Sequence, residues 1–389
     1  MAELSLGSRQ AFPHLQDQCY LAHAAVAPLA QPVSESLQTY IRLLESKGFE
    51  AVSETLAMRE RLRQKLAQML DCPPQQLALT AGTSWGLLAV AHNRKWQAGE
   101  GVLLFEGEFP TNITPWQRAA EQYELRLEWL PAQSFSGAQG LEDLEQKLRQ
   151  GLSLVAVSAV QFQTGLRMPI KEIVSLCHSY KAEVCVDLIQ AAGVLPLSLS
   201  DWGVDYAAGG AHKWLMGCEG AGYLYLSPTA AQNWQHRWAG WLSHPDPVDF
   251  LLAENRLRYD KPVCHQVQSL EIGTSSALSQ VALEASVDIL LHLGVENIYR
   301  HVQSYLDALE PALMEAGWTS LRHPQLRSGS LALRPPQASG TARQWSQQLA
   351  EQGIRASTPD GLLRLSPHWC NSLDEVPRVI QALTTFTER

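Results

Sequence analysis

The sequence predicts an α/β protein: a large domain on a doubly wound, mostly parallel sheet, followed by a smaller α+β C-terminal domain. Two observations predict it. Between residues 77 and 226, short apolar strand-like runs alternate with helical stretches, the pattern of successive βαβ units. After the Pro- and Trp-rich stretch 234–250 the alternation gives way to long helical segments with only short strands. At 389 residues the chain has the length of two or three domains of about 150 residues. It divides into an N-terminal arm (1–18), a large domain (19–260) and a small domain (261–389).

In order along the chain, residues 35–70 read as helix. Leu37, Ile41 and Leu44, then Leu56, Leu62, Leu66 and Leu70, fall at helical spacing and form a face suited to packing on a sheet. Strand Leu77–Thr80 leads into a helix reaching about Trp96, and strand Gly101–Phe105 into a helix starting near Pro115. The series continues with Leu154–Ser158, a helix over Lys171–Tyr180, Ala182–Val186, Tyr206–Ala208 and Gly222–Leu226. Ligand sites are expected at the carboxyl ends of such strands. Helices Ser276–Leu293 and Val295–Ala316, with short strands near Gly329–Leu333 and Leu362–Leu365, make the small domain, and 335–340 is a loop.

Apolar residues are 46% of the chain and charged residues 18%, the composition of an ordinary globular protein that can bury a sizeable core. Thirty Lys and Arg against 39 Asp and Glu leave a formal charge of −9, and no basic run occurs, which argues against a nucleic-acid partner. No stretch approaches about 18 uninterrupted apolar residues and no basic-then-apolar leader opens the chain, so neither a membrane segment nor export is expected. The seven cysteines are scattered without a Cys-x-x-Cys pair, which reads as free thiols in a reducing cytoplasm and argues against a metal site.

Three segments carry chemistry. Thr80-Ala-Gly-Thr-Ser-Trp-Gly86 takes a strand through Gly82 into Thr83 and Ser84 at a helix start. Backbone N–H groups and the helix dipole favour an anion there, although a simple N-cap reads equally well. Val186-Asp187-Leu-Ile-Gln190 ends an apolar strand on a carboxylate able to hold a protonated heterocyclic nitrogen, with a glutamine able to reach a neighbouring oxygen; a helix-capping Asp is the plain alternative. His212-Lys213 leaves a strand of small residues, where a lysine with a lowered pKa can act as nucleophile or base; an exposed loop lysine is the plain alternative. Gly217 to Gly222 leads into a strand instead of opening a helix, so it is not a dinucleotide loop.

The order anion site, Asp187, Gln190, then Lys213 26 residues beyond Asp187, resembles the class V aminotransferase family of pyridoxal-phosphate enzymes. Tyr20-Leu-Ala-His-Ala-Ala, Glu108-Phe-Pro-Thr-Asn-Ile-Thr-Pro-Trp116, Ser158-Ala-Val-Gln-Phe-Gln-Thr-Gly165 and Ser366-Pro-His-Trp-Cys-Asn371 extend the resemblance over nearly the whole chain. It implies fold type I, with a mostly parallel seven-stranded sheet in the large domain, and pyridoxal 5′-phosphate as cofactor. It further implies that Lys213 forms the Schiff base, that Asp187 pairs with the pyridine nitrogen, and that Phe109 stacks on the ring. Gln190 would approach the phenolic oxygen, Gly82, Thr83, Ser84 and His212 would hold the phosphate side, and Gln161 would complete the cofactor site. Gly273 and Thr274, in Glu271-Ile-Gly-Thr274, match the segment that reaches a neighbouring subunit's phosphate, which implies a homodimer with shared sites. Arg364 matches the binder of the substrate carboxylate, with Arg258 and Arg167 as weaker alternatives. Gly210 departs from the family's usual Ser or Thr, which puts one phosphate hydroxyl in doubt.

Persulfide-forming desulfurase chemistry is disfavoured, because no cysteine lies between Cys264 and Arg364 and Cys370 reads as a packing residue. C–S β-elimination, transamination and epimerisation of a small amino acid remain, all starting with α-proton removal by Lys213. His23 would be a second acid at the substrate if its segment folds over the site, and a structural histidine otherwise. Trp85, Trp116, Trp214, Trp238 and Trp241 are available for an apolar pocket wall. A catalytically silent cofactor-binding protein is the alternative of a different class.

Overall fold

In the computed structural model, residues 4–254, 257–336 and 340–384 are described. The first residues of the expected arm and part of the expected 335–340 loop lie outside them.

Strand β1 (Cys19–Tyr20) precedes helices α1 (Gln31–Lys47) and α2 (Val52–Leu70). The single helix expected over 35–70 is therefore two, broken at Gly48, whose φ of 51° ends α1. Nor does α1 lie on a sheet. It packs on a later helix through Val33, Leu37 and Tyr40 and leaves Ile41 and Leu44 exposed, whereas α2 buries Leu62, Leu66 and Leu70.

The wound region then runs β2 (Leu77–Thr80), α3 (Thr83–Asn93), β3 (Gly101–Glu106), α4 (Thr114–Tyr123), β4 (Arg126–Pro131), α5 (Gln139–Leu148), β5 (Leu152–Ser158), α6 (Ile170–Ser179), β6 (Glu183–Asp187), α7 (Leu199–Trp202), β7 (Tyr206–Gly210) and β8 (Gly222–Leu226). Seven strands form one sheet in the order β2-β8-β7-β6-β5-β3-β4. Only β8 runs against the rest. The carboxyl ends of β2, β3, β5, β6 and β7 therefore lie along one edge. Alternate side chains of the central strands enter two apolar layers: Val155, Val157, Val184 and Val186 join one, and Leu154, Ala156, Cys185 and Ala208 the other. Burial on both faces explains why these strands read as nearly continuous apolar runs.

After the short helix α8 (Asp249–Leu252), α9 (Ala277–Leu293) and α10 (Val295–Glu315) meet at Gly294 with a 77° bend. The serine N-cap of α9, Ser276, accepts from the Ser279 N–H, and α9 is the helix that covers α1 and α2. Strands β9 (Thr319–Ser320), β10 (Leu331–Arg334) and, beyond α11 (Ala342–Glu351) and β11 (Ile354–Arg355), β12 (Leu363–Leu365) complete the architecture with α12 (Val376–Thr384). β9, β10 and β12 make a three-stranded antiparallel sheet. β1 pairs in parallel with β11, and Ala22 continues the pairing opposite Ser366.

Candidate active site

The segments leaving the aligned strand ends enclose a cavity of about 790 Å³. Gly82, Thr83, Ser84, Phe109, Gln190, His212, Lys213 and Arg364 all line it.

Asp187, the last residue of β6, is 2% exposed and sits beside this cavity without forming its wall. Its Oδ1 accepts the Ile189 N–H at 2.8 Å, and Oδ2 has no hydrogen-bond partner among the described residues. Burial pushes its carboxyl up to about 6, against the downward pull of the Ile189 N–H and of Lys213. Lys213 feels the complementary effects: burial lowers its amine to about 8, Asp187 pulls it up, and Arg364 pushes it down. Its Nζ lies 5.6 Å from the centroid of the Phe109 ring.

Phe109 follows β3 through Gly107, whose φ is 86°. Its ring is 48% exposed and meets Phe162 edge-to-face at 5.3 Å. Glu108, to which the sequence assigned no role, anchors this loop: its carboxylate accepts the Ser158 N–H at 2.7 Å and the Ser158 hydroxyl at 2.5 Å. Burial pushes it up to about 7, with Asp187 adding to the rise. The pairing could be found only through β5, because Ser158 lies 50 residues away and stands opposite Asp187 in the sheet.

Gly82, with φ 146°, lets the chain turn from β2 into α3. Thr83, one residue on, has a buried hydroxyl with no hydrogen-bond partner among the described residues, and Ser84 bonds Thr111 through their hydroxyls. A Cβ at Gly210 would stand 3.0 Å from Thr83 Oγ1 and 3.0 Å from Ile189 Cδ1. The space for a serine or threonine there is thus taken by these two side chains. Gln190 is held on both sides, donating to the Ala24 carbonyl at 3.0 Å and accepting from the Trp214 indole at 2.9 Å. His212 is half-buried, and burial together with Lys213 lowers its pKa.

Arg364, on β12, is 5% exposed, and burial lowers it to about 10. Nε donates to Ser357 Oγ at 3.1 Å and Nη1 to the Phe162 carbonyl, while Nη2 has no partner among the described residues. Arg258 is instead an exposed partner of Asp260, and Arg167 lies off the cavity wall.

Other expected members stand elsewhere. The Gln161 side chain donates to the Gly107 carbonyl and accepts from the Gln163 N–H at 3.0 Å, clamping the Phe109 loop from outside the cavity. His23 is fully buried, with Nδ1 2.9 Å from the Ser366 carbonyl and Nε2 3.8 Å from Cys370 Sγ. Burial pushes it down to about 4, so it is a neutral interior histidine, and its neighbours Ala24 and Ala25 form the wall instead. Gly273 and Thr274 do not reach the cavity of their own chain. They follow Glu271, whose carboxylate accepts from Arg59 at 2.6 Å, Arg63 at 2.5 Å and the Leu79 N–H at 2.9 Å. Of the tryptophans only Trp85 lines the cavity, backed by Trp238 at 5.0 Å, whereas Trp116 and Trp214 are core.

The class V aminotransferase family profile matches residues 19–362. An uncharacterized aminotransferase, YcbU, of Bacillus subtilis (strain 168) is 27% identical over 383 residues, with 97% of each chain covered. A probable cysteine desulfurase of Chlamydia muridarum (strain MoPn / Nigg) is 31% identical over 293 residues, covering 72% of this chain and 70% of the relative. Among solved structures, the cystine C-S lyase C-DES, in complex with its reaction product cysteine persulfide, is alike in fold, with a TM-score of 0.87 at 23% identity over 96% of this chain and 99% of that one. A lysine, a buried carboxylate and a helix N-terminus gathered at one sheet edge agree with that match, and the chain belongs to the class V aminotransferase family, whose members are pyridoxal-phosphate enzymes of fold type I.

Proposed function

We propose that this protein is a pyridoxal-phosphate enzyme that breaks a carbon–sulfur bond at the β-carbon of a small α-amino acid. The observation that carries the reading is the convergence of Lys213, Asp187 and Arg364 on one cavity. The residues fit the cofactor. Thr83 offers an orphaned buried hydroxyl at the start of α3, where backbone N–H groups favour a phosphate. The free Oδ2 of Asp187 suits a protonated ring nitrogen, and Phe109 supplies an apolar face. When bound, the cofactor would provide the electron sink for the pair released at the substrate α-carbon.

The chain's own residues do the rest. Arg364 Nη2 binds the substrate carboxylate and fixes the α-carbon relative to Lys213. With its pKa lowered to about 8 by burial, Lys213 gives up its own proton far more readily than an exposed lysine and takes the α-proton at Nζ. The resulting ammonium can return that proton to a departing sulfur. None of the seven cysteines lines the cavity, which supports elimination over sulfur transfer to a protein thiol.

Aminotransferase chemistry is the second reading, favoured by end-to-end likeness to YcbU. Both readings are separated by following the visible cofactor band during amino-acid addition while assaying keto acid. Catalytic pyruvate release with return of the band identifies the lyase; stoichiometric replacement by the pyridoxamine-phosphate spectrum identifies the aminotransferase. K213A should bind no cofactor covalently, and borohydride should leave it unlabelled. The exposed Thr274, beside the anchored Glu271, supports a homodimer whose partner completes each phosphate site; sedimentation of the holoenzyme tests it. Seven free thiols fit a reducing cytoplasm.

A further inference from the structure

We propose that the site selects α-amino acids with neutral, apolar side chains and rejects those carrying a second carboxylate. The inference rests on the reading above, in which Arg364 takes the α-carboxylate and Lys213 the α-proton.

Arg364 is not free to follow its ligand. Ser357 Oγ and the Phe162 carbonyl hold Nε and Nη1, so the α-carboxylate is received at one fixed place, beside Phe162. The Phe162 ring then meets the Phe109 ring at 5.3 Å and 78°, and the Phe109 ring in turn lies 5.6 Å from Lys213 Nζ. Two aromatic rings therefore bridge the carboxylate anchor and the base. Ala25, Pro359 and Trp85 add further apolar surface, and the hydroxyls of Ser84 and Thr111 satisfy each other.

Among the described residues, the cationic groups on the wall are Lys213, Arg364 and, when protonated, His212; the reading above assigns Lys213 and Arg364 other tasks, and the family resemblance puts His212 on the phosphate side. The remaining charged residue there is an acid, Glu219. A second carboxylate would leave water without gaining a cation from the described residues of the wall. A hydrocarbon tail against the Phe162 ring loses nothing on leaving water and gains by burial. Among sulfur amino acids, this favours S-alkyl cysteines over cystine, whose far end carries a carboxylate and an ammonium that would both have to leave water.

The test is titration of the holoenzyme with L-norleucine, L-methionine and S-methyl-L-cysteine against L-glutamate, L-aspartate and L-cystine. Dissociation constants are read from the cofactor band and, independently, by calorimetry. The neutral ligands should bind at least about tenfold more tightly than glutamate. F162A keeps the backbone carbonyl that holds Arg364 and should weaken norleucine about tenfold more than it weakens L-alanine. F162R, which supplies a cation, should narrow or reverse the gap with glutamate. Glutamate binding as tightly as norleucine, or variants that keep the wild-type preference, would overturn the inference and leave the proposed reaction standing. A protein that takes up no cofactor, or whose band no amino acid moves, would sink both.

Discussion

The side chains that matter most are those whose burial conflicts with their charge. Lys213 has its folded pKa lowered to about 8, well below its unfolded 10.5. Attachment of pyridoxal phosphate to the cofactor-free protein should therefore accelerate through a midpoint near pH 8, as stopped-flow absorbance would show. A midpoint near 10 would contradict the buried site. The same shift makes cofactor-free stability rise with pH between about 8 and 10.5, because the unfolded chain there holds a proton that the folded one has released. Glu271 presents the opposite case, a buried carboxylate matched by Arg59, Arg63 and the Leu79 N–H. E271A leaves two buried guanidinium groups without it and should cost about 3–5 kcal/mol in urea denaturation. R364K keeps the charge but loses the planar fork held by Ser357 and Phe162. It should raise KM for amino-acid substrates about tenfold to hundredfold in steady-state assays, the loss expected for a charge-assisted hydrogen bond.

Among the elements, α3 couples packing to chemistry. Gly86 on α3 crosses β7 so closely that a Cβ would stand 2.7 Å from Ala208 Cβ. G86V must push the helix off the sheet, at about 1–3 kcal/mol for overpacking, and carry Thr83 and Ser84 with it. Thermal melts should show the stability loss, and spectral titration a weaker affinity for pyridoxal phosphate. The sheet was legible because its central strands are buried on both faces. β4 was not, since Arg126–Pro131 is an edge strand with charged, half-exposed positions. Helices α5, α11 and α12 escaped because each buries only three or four residues, a face too narrow to stand out in the sequence. β1 and β11 are two residues each, too short for any period. The site divides in the same way. Asp187, Lys213 and Arg364 are where their local motifs place them, each at or just beyond a strand. Gln161 stands off the cavity wall and His23 takes the structural alternative, because their orientation depends on Gly107, Ser366 and Cys370, partners far along the chain.

For the molecule as a whole, cofactor and fold are linked: a ligand held by five strand ends binds the folded chain and not the unfolded one. At a concentration 100 times its dissociation constant it should add about 2.7 kcal/mol, and the melting temperature should climb with added pyridoxal phosphate. K213A should show a smaller rise. The pairing of β1 with β11 and of Ala22 with Ser366 sets Ala24 and Ala25 in the cavity wall. His23 and Ser366 are 343 residues apart. During synthesis residues 22–25 leave the ribosome well before Ser366, so their place in the site does not exist until the chain around 366 has emerged. The central sheet can collapse on the nascent chain, but the pocket itself closes only once β11, β12 and Ser366 are in place, so a product terminated before them would hold the whole central sheet and lack Arg364.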